Sequence, residues 1–170
     1  IGWALIPVLF AAIGFGYAQS QQFDDRRTYL ATAAAVTAAA LVGLIRMLRS
    51  RIGLSRFGFR RPAAGSARPL IWFAPLALGP VLVAATTGIA VDRALIPGFV
   101  WLAAAAAFSE EIWYRGIVMA TLRQRSRRTA IVGSAVIFGV LHLANLFGGA
   151  SPLYAGLQLA FAALFGLVAA

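Results

Sequence analysis

Long apolar blocks separated by short charged clusters set the pattern of this chain. A helix crossing about 30 Å of hydrocarbon takes roughly 20 apolar residues, and six stretches of suitable length are present. Ile1–Ala18 carries no charge, and Thr28–Ile45 lies uncharged between Arg27 and Arg46. Pro69–Val91 is uncharged between Arg68 and Asp92, and Phe99–Leu122 is apolar apart from one charged cluster at its centre. Thr129–Ala170 runs 42 residues without a formal charge, enough for two spans, with Gly148-Gly149-Ala150-Ser151-Pro152 as the natural break. No two-residue alternation competes with this reading, so the fold class expected is all-α, a polytopic integral membrane helical bundle of about six transmembrane helices. Residues 1–68 form N-terminal spans with a basic loop, and 69–170 form the core of the membrane domain. The chain opens on Ile1 with no basic leader and stops at Ala170 inside an apolar run, so it reads as a fragment cut at both ends.

Composition sharpens this. With 61% hydrophobic and 12% charged residues, the chain departs from the roughly 45–50% apolar and 25% charged content of soluble domains. The absence of Cys excludes disulfides, iron–sulfur clusters and thiolate zinc sites. All fifteen basic residues are Arg, and the net charge is +10. These Arg residues flank apolar blocks and do not stripe a polar face, so they signal topology, and no nucleic-acid partner is expected. On alternate loops eleven Arg fall on one side and three on the other, with Arg115 inside a span. The positive-inside rule then makes the Arg-rich loops 46–68 and 123–128 cytoplasmic, in a multi-pass protein of the cell (plasma) membrane. Within the longer loop, Leu54, Phe57 and Phe59 interleave with Arg56, Arg60 and Arg61. That pattern suits either a short interfacial piece on an anionic leaflet or a solvated linker.

The charged cluster Ser109-Glu110-Glu111-Ile112-Trp113-Tyr114-Arg115-Gly116 is the chemical focus. On a helix Glu110 lies about 17 Å from Phe99, near mid-bilayer, where an acid costs roughly 2.5–3.5 kcal/mol on insertion scales. Glu111 and Arg115 are spaced i,i+4 in the favourable order, acid first, and that pair also reads as a purely structural ion pair. Glu110 points about 100° away from Glu111 and is left without a local partner, as a general base facing a cavity would be.

The single His lies in a span too. His142 follows Phe138 by one turn and precedes Asn145 by three residues. Taken alone it reads as a hydrogen-bonded core residue. Antiparallel helices over 99–122 and 129–147 change that, because Glu110 is 13 residues before Arg123 and His142 is 14 after Arg128. The two then sit at similar depth, and a carboxylate, an imidazole and an amide at one level form a polar cavity that admits water, as a hydrolase requires. Thr86, Thr87, Ser134 and Gln158 read as packing groups, and Ala135/Gly139 and Ala162/Gly166 as small-residue pairs for close helix contact. Trp3, Trp72, Trp101 and Tyr29 fit an aromatic belt.

Glu110-Glu111-x-x-x-Arg115, followed 27 residues after Glu111 by Phe138-x-x-x-His142, resembles the first two motifs of the CPBP family. These are the CAAX proteases and bacteriocin-processing enzymes, also called Abi or lysostaphin-resistance-like, and they include the type II CAAX prenyl endopeptidases. The resemblance covers Phe99–Ala170. It implies an intramembrane endopeptidase of metalloprotease type, acting on membrane-associated or prenylated proteins or peptides in the lipid bilayer. In that reading Glu110 activates water, His142 assists, Glu111 and Arg115 complete the first motif, and Phe138 and Asn145 support the second. The resemblance also implies a divalent metal such as zinc, with His142 and Glu110 as its ligands here. The family's third motif, a His followed four residues later by Asn or Asp, is absent from this sequence, as either truncation or divergence would leave it, with truncation the better explanation. Two other readings stand beside this one: a non-catalytic scaffold or immunity protein of the same architecture, and a proton-coupled transporter with Glu110 and His142 as relay. The transporter reading lacks the paired Gly/Pro-broken helices that usually mark such sites.

Overall fold

A computed structural model gives the architecture. The structure describes residues 2–61, 92–147 and 149–168, with the single positions 65, 71, 78, 81, 85 and 86 between. Apart from those positions, the expected span Pro69–Val91, with Trp72 and Thr87, lies outside the described residues. Every element among the described residues is helical.

The helix starts follow local chemistry. After a 3-10 turn, Gly2–Leu5, helix α1 covers Ile6–Ser20 with Pro7 in its first turn, where a missing N–H loses no helical bond. Helix α2, Asp25–Arg49, is capped by Asp24, whose carboxylate accepts from the Arg27 amide at 2.8 Å. Arg46 and Arg49 occupy its last turn, where cations meet the negative end of the helix dipole. Capping at both ends is why α2 outruns the uncharged stretch Thr28–Ile45. Asp92 caps a short 3-10 turn, Arg93–Leu95, through the Ala94 amide at 2.9 Å, and α3, Ile96–Glu110, follows. The chain then continues as a π-helix, Glu111–Val118, and a last α-turn, α4, Met119–Leu122. Ser126 caps α5, Arg127–Leu141, through the Thr129 amide at 2.9 Å. A 3-10 helix, His142–Leu146, ends that run, Gly149 turns the chain at a φ of 88°, and α6 covers Pro152–Val168.

Four described runs are long and apolar enough to cross a membrane: Gly2–Ser20, Asp25–Arg49, Arg93–Leu122 and Arg127–Leu146; Pro152–Val168 is shorter and equally apolar. The restart at Pro152 falls at the expected break. Leu9, Ile13, Leu41, Phe99, Val100, Leu157 and Leu164 point outward, exposed, as suits helices whose solvent is hydrocarbon.

Helix α1 packs on α2, α2 on α3, and α5 on α6. Small residues permit the approach. A methyl added at Gly139 would lie 2.9 Å from the Leu159 carbonyl oxygen and 3.0 Å from Ala163 Cβ, and one at Gly166 would lie 3.0 Å from Ala135 Cβ. The two small-residue pairs read from the sequence thus face each other across the α5–α6 seam. On the other side of the π-helix, a methyl at Gly43 would lie 2.5 Å from Ile112 Cγ2 and 3.0 Å from Trp113 Cε2.

Gly43→Ala is expected to destabilise the bundle by about 1–3 kcal/mol through overpacking, whereas Gly16→Ala, which meets open space, should change little. Unfolding midpoints in mixed detergent–dodecyl sulfate micelles check this contrast.

Candidate active site

The π-helix positions the site. An i→i+5 ladder is rare, occurs mostly as single turns, and concentrates at functional positions, yet here it persists for eight residues. Six of them, Ile112, Trp113, Tyr114, Gly116, Ile117 and Val118, are buried. Trp113 packs with Ala40, Met47, Phe57, Ile112 and Ile117, and its indole Nε1 donates to the Ala39 carbonyl at 3.0 Å. Tyr114 packs with Ala4, Val118, Phe138 and Ala162, and its hydroxyl donates to the Ala4 carbonyl at 3.1 Å. Neighbouring aromatics therefore anchor the segment in two cores at once. Ser134 of α5 donates to the Tyr114 carbonyl at 2.9 Å, beside the Met119 amide, so the adjacent helix is tied to a backbone acceptor of the π segment.

Two residues of the π-helix escape burial, Glu111 and Arg115. They form the expected i,i+4 ion pair, with the Arg115 side chain 18% exposed and that of Glu111 52%. The Arg115 guanidinium also lies over the Phe165 ring of α6, 4.7 Å from its centroid, a contact that favours a cation.

Glu110 closes α3 at the junction with the π-helix. The sequence reading left it without a partner, on the assumption of α-helical steps through the whole cluster. In the structure Arg115 pairs with Glu111, as expected, and no ion pair or hydrogen bond is found for the Glu110 carboxylate among the described residues, while His142 and Arg115 both lie near enough to influence it.

Glu110, Glu111, Tyr114, Arg115, Ser134 and Phe138 line a cavity of about 160 Å³. At roughly 30 Å³ per water in the liquid, it has room for a few waters. His142 stands beside it, across the Phe138 ring, with the two rings edge-on at 4.8 Å between centroids. His142 Nδ1 pairs with the Phe138 carbonyl at 2.9 Å. A carbonyl only accepts, so Nδ1 carries the hydrogen and Nε2 of the neutral ring keeps its lone pair. The second motif's Phe thus supplies a ring against His142 and a carbonyl that sets its tautomer.

Asn145 lies on the 3-10 helix one turn below His142. Its amide donates to Gln158 Oε1 of α6 at 2.6 Å, and Gln158 Nε2 donates to the Tyr154 hydroxyl at 3.1 Å. Asn145 therefore bonds to α6 and is not among the cavity's lining. Sequence reasoning missed Tyr114 as a lining group and read Ser134 and Gln158 as generic packing. Polarity inside apolar blocks was the available signal, and it does not reveal which backbone atom needs a donor.

Among the described residues no three His, Cys, Asp or Glu side chains come together, whereas a catalytic zinc takes three protein ligands. His142 and Glu110 alone do not fit that ion.

Residues 92–170 match the family model for type II CAAX prenyl endopeptidases, Rce1-like, which supports the CAAX-protease family that the motifs resemble. No curated protein and no solved structure matches the chain.

Ser134→Ala removes one of two donors to the buried Tyr114 carbonyl and leaves the Met119 amide in place, with an expected loss of about 0.5–1.5 kcal/mol, the net worth of one hydrogen bond. The same detergent unfolding assay measures it, and an unchanged midpoint would show that the Met119 amide alone suffices.

Proposed function

We propose that this member of the CAAX-protease family is an intramembrane endopeptidase that hydrolyses membrane-associated proteins or peptides with water activated by Glu110. One observation carries the reading: within the family-matched segment, a cavity with room for water is lined by Glu110, Glu111 and Arg115 and flanked by His142.

The roles follow from the geometry. Glu110 accepts a proton from a cavity water as that water attacks the peptide carbonyl carbon. The new bond makes a tetrahedral oxyanion, which the Arg115 charge stabilises. His142, with Nδ1–H held by the Phe138 carbonyl, offers Nε2 to the proton that must reach the leaving amine. Glu111 holds the guanidinium of Arg115 in place as its ion-pair partner. Apolar walls limit water access and raise the worth of each charge in the cavity. A prenylated substrate would present its lipid to the same hydrocarbon that surrounds the helices. The Arg-rich loops, 46–68 and 123–128, lie on the cytoplasmic side of the cell membrane in this reading.

Protein reconstituted in proteoliposomes and offered prenylated and unmodified membrane peptides tests the proposal. Glu110→Gln is expected to lower turnover by on the order of 10²–10⁴, the range assigned to a positioned acid or base, and His142→Ala by a comparable factor. A Glu110→Gln protein that cleaves at the wild-type rate overturns the mechanism. Loss of folded protein in both variants, with no hydrolysis by the wild type, points to a scaffold instead.

A further inference from the structure

The second basic surface element is not part of the cavity. After α2, Gly53 leads into a 3-10 turn, Leu54–Phe57, closed by Gly58 in the left-handed region at a φ of 97°. The turn is ordered by its own bonds: the Gly58 amide donates to the Ser55 carbonyl at 3.3 Å and the Phe59 amide to the Leu54 carbonyl at 3.2 Å. Phe57 is buried among Met47, Ile112, Trp113 and Ile117. The turn rests on the π-helix and on α4, the helix that leads into Arg123. This decides between the two readings the sequence left open: the segment is a docked structural piece and not a solvated linker.

Its outer face combines two kinds of side chain. Ile52, Leu54 and Phe59 are exposed, and so are Arg49, Arg51, Arg56, Arg60 and Arg61, with Arg123 and Arg125 beyond α4 and Arg127 and Arg128 in the first turn of α5. No acidic residue occurs in 46–61 or 119–128, and among the described residues the ion pair found is Arg115–Glu111, inside the bundle. Nine exposed guanidinium groups thus have no acidic partner on their own surface. Both clusters sit at ends of helices long enough to cross a bilayer, where lipid headgroups lie.

We propose that this face binds anionic phospholipid headgroups, with Arg51, Arg56, Arg60 and Arg61 on the phosphates and Leu54 and Phe59 inserted at the boundary of the acyl chains. Charge complementarity selects an anion, and the exposed apolar side chains among the Arg residues select a lipid over a free phosphate, which has nothing for them to contact. Bound lipid then braces the turn that rests on the π-helix, so binding stabilises the bundle.

Purified protein in neutral phosphatidylcholine nanodiscs, titrated with phosphatidylglycerol at fixed ionic strength, tests this without reference to proteolysis. Thermal unfolding is expected to shift upward with phosphatidylglycerol and to stay put with added phosphatidylcholine. The triple variant Arg56→Gln, Arg60→Gln, Arg61→Gln should lose roughly fivefold in apparent lipid affinity per Arg removed, the factor equivalent to about 1 kcal/mol for each basic residue near an anionic surface. The corresponding Lys triple should keep most of the response, and Arg26→Gln with Arg27→Gln, in the first turn of α2 at its opposite end, should keep all of it. Equal shifts with the two lipids overturn the proposal, as does an unchanged response in the Gln triple or a shift reproduced by inorganic phosphate alone. Native mass spectrometry of the wild type provides the readout that needs no variant: preferential retention of phosphatidylglycerol supports the site, and equal retention of both lipids refutes it.

Discussion

Charge buried in hydrocarbon is the constraint around which the structure is organised. Two of the five acids of the chain, Glu110 and Glu111, and one Arg, Arg115, lie within a single apolar run. Each charge costs a few kcal/mol at that depth on insertion scales. The bundle answers with an ion pair between Glu111 and Arg115, a Phe165 ring beneath the guanidinium, and Arg115 and His142 close to Glu110. The cluster runs through a π-helix, and that segment creates a second requirement. Its widened ladder has to be held by tertiary contacts, because the i→i+5 pattern is less favourable than the α-helix it replaces.

Those contacts come from three different elements. Trp113 ties the segment to α2, Tyr114 to the N-terminal 3-10 turn, and Ser134 of α5 to the Tyr114 carbonyl. Gly116, whose added methyl would collide with the Met47 side chain and lie 3.6 Å from the Phe57 carbonyl, lets α2 and the interfacial turn close against the same segment. The N-terminal helices, which the family match does not include, therefore hold the backbone of the charged cluster in its unusual form. They are a structural support for the site and not a separate appendage.

The residues of the site were legible in the sequence, and their geometry was legible in part. Charge in an apolar block identifies Glu110, Glu111 and Arg115 without any structure, because hydrocarbon makes such residues expensive to keep. The depth count that brought His142 level with Glu110 works because a short loop joins two antiparallel helices at a fixed rise per residue. The small-residue pairs of α5 and α6 were readable for a similar reason, since their spacing follows the helix period. What failed was the assumption of one uniform helix. Hydrophobic periodicity carries no sign of a switch from α to π when nearly every position is apolar, so the π segment was not legible. The Asn145–Gln158–Tyr154 chain was equally hidden, because it depends on how the turn around Gly149 brings α6 back beside the 3-10 helix.

The two basic observations also separate on physical grounds. Arg115 is embedded, paired and fixed against an aromatic ring, and its charge serves the cavity. The exposed Arg residues of 49–61 and 123–128 have no acidic partner on their surface and sit where the bilayer changes from hydrocarbon to headgroup. Yet both groups bear on the same eight residues, since Phe57 packs against Ile112, Trp113 and Ile117 from one side and the cavity opens on the other. A rigid π-helix with one face in a membrane-surface turn and the other in a polar cavity transmits disorder in either direction. Loosening the Leu54–Phe57 turn removes packing from behind Trp113, and with it the support that keeps Glu111 and Arg115 in register with Glu110. The membrane surface and the site are thus mechanically continuous through the one short segment that carries Glu111 and Arg115.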